Sequence, residues 1–105
     1  MFSRRVTAKL KMDVAKQVPN VIQNDVLPLL RKQKGFRDEV VMVAPERSEL
    51  LALSFWDTQQ DAEAYGRTTY PEVLKALVKV VDGTPTVQAY DVADCTFHKT
   101  IAHKA

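Results

Sequence analysis

The chain has 105 residues, with 15 Lys and Arg against 13 Asp and Glu, a formal net charge of +2 and 27% charged residues. That length suits one domain around one core, and the interleaved charges form no basic block of the kind that grips nucleic acid. No apolar run approaches the roughly 18 residues needed to cross a bilayer. The opening MFSRRVTAKLKM has no apolar h-region, and the single cysteine, Cys95, cannot staple a fold, so the expected setting is a reducing cytoplasm.

Residues 4–11, RRVTAKLK, alternate Val6, Ala8 and Leu10 with Arg5, Thr7, Lys9 and Lys11, which predicts a strand with one apolar face. From Asp13 the period becomes helical, through Val14, Val18, Val21, Ile22, Val26, Leu29 and Leu30. Pro19 is tolerable in a first turn, whereas Pro28 removes an amide deeper in and predicts a kink. Arg31, Lys32 and Lys34 suit the last turn, and Gly35 suits the position just past it. Residues 36–44 and 49–56 predict two strands joined by a four-residue loop. Asp57 is the expected N-cap of the next helix, with Gln60 at the capping-box position. That helix weakens at Gly66 and restarts with Pro71 in its first turn. Val73, Leu74, Leu77, Val78 and Val81 then form an apolar stripe, which Asp82-Gly83 and Pro85 are expected to end. Residues 86–98 predict a long last strand, bulged near Asp91 or Asp94.

The order is β-α-β-β-α-β. It predicts a ferredoxin-like α+β domain, a four-stranded antiparallel sheet with both helices on one face. The core is expected over residues 4–98, with 99–105 as a tail. The sheet's other face then needs cover. In the third strand, bulky Leu51, Leu53 and Phe55 are assigned to the helices, and Leu50, Ala52, Ser54 and Trp56 to the open face. Residues 40–43, VVMV, are apolar on both sides. At about 25 cal/mol per Å², a few hundred Å² of such surface is worth several kcal/mol, so a second copy related by a two-fold axis is the expected partner.

The element order, the KGF at 34–36 and the junction SFWDTQQDAEAY together resemble the antibiotic biosynthesis monooxygenase (ABM) family of the dimeric α+β barrel superfamily, over roughly residues 4–98. The resemblance implies a homodimer and a pocket between helices and sheet. In some members it implies cofactor-independent oxidation of aromatic polyketide-like substrates. Other members degrade haem, and others have no established activity. The junction tryptophan of active members matches Trp56. Quinone-forming members carry an asparagine where this chain has Ala52. The histidine of haem-degrading members falls near Gly66 or Arg67, and their first-strand asparagine falls where Arg5, Thr7 and Lys9 stand.

Each candidate has a packing role beside a chemical one. Trp56 either stacks on a flat substrate or fills the junction, its indole N–H on a backbone carbonyl. Tyr65 and Tyr70 either hydrogen-bond a substrate oxygen or flank a helix kink with their hydroxyls in solvent. Arg5, Thr7 and Lys9 share one face, where the cations bind an anion or pair with Asp91, Asp94 or Glu39. Ala52 and Ser54 line the same pocket as Trp56 in this reading. His98 and His103 lack the spacing of a metal site, and Cys95 reads as a buried, inert thiol beside Ala93 and Phe97. Glycine-rich phosphate loops, CxxC, HExxH and GxSxG are all missing from the sequence, so neither metal nor cofactor is expected. Two readings remain: a small homodimeric oxygenase acting on a planar aromatic substrate near Trp56, or a non-catalytic dimeric domain that binds a small ligand or serves as structure.

Overall fold

A computed structural model describes residues 1–44, 46 and 48–97. Its axis is β1 (Phe2–Leu10), which pairs on one side with β3 (Glu49–Trp56) and on the other with β4 (Val81–Asp91). The edge strand β2 (Phe36–Ala44) pairs with β3, giving the order β2-β3-β1-β4 with every pairing antiparallel. This is the ferredoxin-like α+β arrangement expected from the element order. Both middle strands have the bounds or nearly the bounds that alternation predicts.

The helical layer is less regular. A 3₁₀ turn at Ala15–Gln17 leads into α1 (Val18–Val21), a π turn at Ile22–Val26 and α2 (Leu27–Arg31). The kink expected at Pro28 takes the form of that π turn. The Leu27 N–H reaches back to Ile22 O, and the widened turn accommodates the amide that Pro28 lacks. After β3 come α3 (Gln59–Thr68) and α4 (Tyr70–Leu77). The cap is Thr58, whose hydroxyl accepts from Asp61 N at 3.1 Å. Asp57, expected in that role, pairs instead with Arg37. Helix α3 runs through Gly66, and the break falls at Thr69, whose hydroxyl donates to Gln33 Oε1 at 3.2 Å.

The glycine of KGF is required by geometry. Gly35 has φ +80°, and a Cβ there would sit 2.1 Å from Asp61 Oδ2. Its carbonyl also accepts from Asp57 N at 2.8 Å. One residue thus joins the end of α2, the start of β2 and the first turn of α3.

Two expectations need correction. First, the faces of β3 are reversed. Opposite residues of an antiparallel pair share a face, and Phe2, Arg4, Val6 and Ala8 stand opposite Trp56, Ser54, Ala52 and Leu50. The core forms from Leu50, Trp56, Phe2, Ala8 and Leu10 with Val18, Ile22, Val26, Leu30, Tyr65, Val73 and Leu77 of the helical layer. Leu51, Leu53 and Phe55 therefore lie on the helix-free side, where Phe97 packs edge-on over Phe55 at 5.3 Å. Small Ala52 and Ser54 belong under the helices because large side chains from elsewhere fill the space above them. Second, β4 begins at Val81, so Asp82 and Gly83 do not end a helix. Thr7 pairs with Thr86 but Lys9 pairs with Asp82, which leaves two extra residues on β4 to bulge around Gly83 at φ +80°. Pro85 sits in that unpaired stretch of an edge strand, where its missing N–H breaks no ladder bond. The strand ends at Asp91, which pairs in register with Phe2, so the irregularity lies near Gly83 and not near Asp91 or Asp94. Val78, placed in the apolar stripe, is 62% exposed, while Val80 in the following turn is fully buried. Cys95 is half-buried in the segment after β4. His98, His103 and the tail 99–105 lie outside the described residues.

Candidate functional site

The helix-covered face carries one polar row. Arg4 on β1 stands opposite Ser54 on β3, which stands opposite Glu39 on β2. Alternation that makes Val6, Ala8 and Leu10 core residues obliges Arg4 to point the same way, and only 8% of it is exposed. Its guanidinium lies 4.5 Å from the ring centre of Tyr70 and 4.9 Å from that of Tyr65. Gly66 permits this approach, since a Cβ there would lie 3.3 Å from Arg4 Nη1.

The electrostatics of this cluster are incomplete. Cation–π attraction to two rings returns about 0.5–2 kcal/mol each. Burying a cation costs several kcal/mol unless it is paired, and among the described residues no carboxylate pairs with Arg4. Arg4 Nη1 and Tyr70 Oη are both buried without a hydrogen-bond partner. Desolvation lowers the Arg4 pKa, opposed by the two tyrosines, yet a guanidinium keeps its charge. Desolvation also raises the pKa of Tyr65 and of Tyr70, so both phenols remain donors. The Glu39 carboxyl is pushed up to about 7 by burial.

Arg4, Glu39, Ser54, Ala52, Tyr65 and Tyr70 line one cavity of about 30 Å³, closed by apolar residues of the helical layer. It holds a water or two. Glu39 and Ile22 are also walls of an outer cleft of about 280 Å³ beside Val18 and Leu27. Arg4 borders a second cleft, of about 260 Å³, beneath Ala62 and Gly66. Ile22 and Glu39 are thus common walls of the inner space and one cleft, Arg4 of the inner space and the other, and Ile22 belongs to the π turn.

The residues singled out from sequence divide between the two faces. Tyr65, Tyr70, Ala52 and Ser54 meet at the cavity. Trp56 is fully buried one ring behind it. Its indole stacks at a tilt on Tyr65, 4.8 Å between centres, and meets Phe36 edge-on at 5.6 Å. Its N–H donates to Ser54 Oγ at 2.9 Å rather than to a backbone carbonyl. Trp56 thus fixes the positions of Tyr65 and Ser54. Neither tyrosine has the solvent-facing hydroxyl of a simple kink: Tyr65 is 5% exposed, and the Tyr70 hydroxyl is buried.

Arg5, Thr7 and Lys9 lie on the helix-free face, away from the cavity. Arg5 Nη1 donates to Gln88 Oε1 at 3.3 Å, and Glu39, one of the expected partners for these cations, lies on the opposite side of the sheet. Arg4 and Glu39 were not identified as site residues from sequence. Their signal was parity: Arg4 is in phase with Val6 and Ala8, and Glu39 is in phase with Val41 and Val43. Among the described residues, no three His, Cys, Asp or Glu side chains gather as metal ligands. No helix among them is long and apolar enough to cross a membrane.

No protein-family model matches the chain, and no curated protein matches it. Solved structures do match, at low identity. A monooxygenase from Streptomyces coelicolor, determined in complex with the ligand Nanaomycin D, aligns with a TM-score of 0.73 and 14% identity, over 90% of this chain and 88% of that one. Two further proteins carry names that place them provisionally among the antibiotic biosynthesis monooxygenases. The one from Bordetella bronchiseptica aligns at 0.72 and 11% identity, over 87% of this chain and 95% of its own. The one from Nitrosomonas europaea aligns at 0.67 and 15% identity, over 88% and 98%. At such identities the likeness is one of fold. The fold is the one these proteins share, as the KGF and tryptophan-junction resemblance implied.

Proposed function

We propose that this chain is an antibiotic biosynthesis monooxygenase-like protein that oxidises a small planar aromatic substrate without a cofactor, at the cavity in front of Trp56 and Tyr65. The observation that carries the reading is Glu39, a carboxyl held near neutrality that lines the same cavity as Arg4, Ser54, Tyr65, Tyr70 and a set of apolar side chains. A base of that strength can take a proton at neutral pH. In such chemistry the substrate supplies the electrons. Glu39 removes a proton from a ring CH₂, the resulting anion reduces O₂, and one oxygen atom ends on carbon. The sum is ring CH₂ plus O₂ giving ring C=O plus water, with no added reductant. Tyr65 offers a stacking face, Tyr70 and Arg4 hold the developing negative charge, and Trp56 keeps Tyr65 in place. The inner cavity has room for only a water or two, so a ring-sized substrate requires Ile22 and Glu39 to turn aside and join it to the outer cleft of about 280 Å³.

A second reading is that the protein holds a small ligand without turning it over, in the inner cavity opened into its neighbouring cleft. In either case a second copy covers the helix-free face, where Val40 and Met42 are 40% and 49% exposed beside half-buried Leu51 and Leu53. Joined sheets would form the dimeric α+β barrel. The compartment is the reducing cytoplasm, where Cys95 stays a thiol.

Oxygen uptake with a panel of planar aromatic ketones that carry a ring CH₂, such as anthrone, with no metal or flavin added, tests the oxygenase reading. Wild type is expected to consume oxygen, and Glu39→Gln to lower turnover by about a hundredfold while remaining folded. No uptake by wild type across the panel leaves only the ligand-binding reading, and undiminished uptake by Glu39→Gln overturns Glu39 as the base.

A further inference from the structure

We infer that Arg4 Nη1 and Tyr70 Oη form a receptor for one anionic oxygen, so that the site selects a planar ligand carrying a single phenolate, enolate or carboxylate group over its neutral shape-equivalent. The inference rests on the cavity being a ligand site, and adds the charge of what it takes.

Three observations support it independently of the reaction. Arg4 is more than nine-tenths buried, and its Nη1 has no partner. The Tyr70 hydroxyl, on a ring 4.5 Å from the same guanidinium, is the other buried side-chain group left without one among the described residues. Both groups line the same cavity, and both offer hydrogen to an acceptor. The protein's own carboxyl does not fill the gap. Glu39 stands two strand spacings from Arg4, roughly 9–10 Å, with Ser54 between them, and the two form no ion pair. Ser54 is itself engaged by the Trp56 N–H.

The walls set the rest of the ligand. Ile22, Val26, Leu30 and Val73 offer no polar group, so a second negative charge on the ligand would be buried without compensation. One cation fits one anion, on a body that is otherwise apolar. The stacked rings of Tyr65 and Tyr70 favour a flat one. An anionic oxygen would bring charge-assisted hydrogen bonds to a desolvated guanidinium, the stronger class of such bonds.

The test compares 4-nitrophenol, at a pH where it is ionised, with 4-nitrotoluene, which has nearly the same shape and no charge. Binding is followed by calorimetry and by the phenolate absorbance. Wild type is expected to bind the phenolate at least about tenfold more tightly than the toluene. Arg4→Met should erase that preference while leaving 4-nitrotoluene affinity within about twofold. Tyr70→Phe, which keeps the ring and removes only the hydroxyl, should reduce the preference severalfold. Equal binding of both probes by wild type overturns the anion receptor and leaves the pocket reading intact. Binding of neither overturns both. Should Arg4→Met fail to fold, an unchanged preference in Tyr70→Phe overturns the inference by itself.

Discussion

The helix-covered face of the sheet carries Arg4, Ser54 and Glu39 in a row across three strands, while the bare face carries Val40, Met42, Leu51 and Leu53. Polar groups stand where the interior is dry, and apolar groups stand where water would reach. Each arrangement is unfavourable for an isolated chain. Each would become favourable with the additions proposed above: a ligand oxygen on one side, a second sheet on the other. The covered face is local and exacting, since a few donors define where one atom goes. The bare face is broad and tolerant, since any apolar surface of matching shape would serve it.

The largest expected effect breaks the second face. The combined change Val40→Lys and Met42→Lys puts four lysines into a two-fold interface. Sedimentation should show wild type at twice the 11.8 kDa chain mass and the variant at that mass, with dimer affinity reduced by about a hundredfold or more. Wild type that sediments as a single chain at high micromolar concentration contradicts the dimer.

A smaller effect sharpens the first face. The Glu39 pKa is raised from 4.5 to about 7 in the folded state, so the folded chain binds its proton more tightly than the unfolded one. Stability present below pH 4.5 is lost as the pH rises towards 7. Partial exposure screens the effect to about 2 kcal/mol. Glu39→Gln removes this slope, so its stability relative to wild type should rise by about 2 kcal/mol between about pH 5 and about pH 8 in urea titrations. A difference that does not change with pH means that Glu39 titrates as an ordinary surface acid.

The strands were legible in the sequence because period-two alternation is local. Residues 36–44 and 49–56 need only their own side chains to declare themselves. The face of β3 was not legible by size, because Leu51, Leu53 and Phe55 look more like core than Ala52 and Ser54 do. It is fixed by pairing with β1, whose alternation was clear, and pairing register is a tertiary fact. The same holds for the site. Trp56, Tyr65 and Tyr70 were visible as residue types and prove to be neighbours. Arg4 and Glu39 look like surface charges until phase with their neighbours turns them inward. The start of β4 was misread because Gly83 and Pro85 end helices more often than they bulge an edge strand.

The account depends on the ligand site lying under the helices. Methyl-labelled NMR of the protein titrated with 4-nitrophenolate addresses this directly, because the two faces carry different methyl groups. The account predicts shifts at Val6, Ile22, Val26, Leu50 and Val73, with Val40, Leu51 and Leu53 unmoved. Shifts confined to Val40, Leu51 and Leu53 would contradict it and place binding on the bare face, beside Arg5 and Lys9.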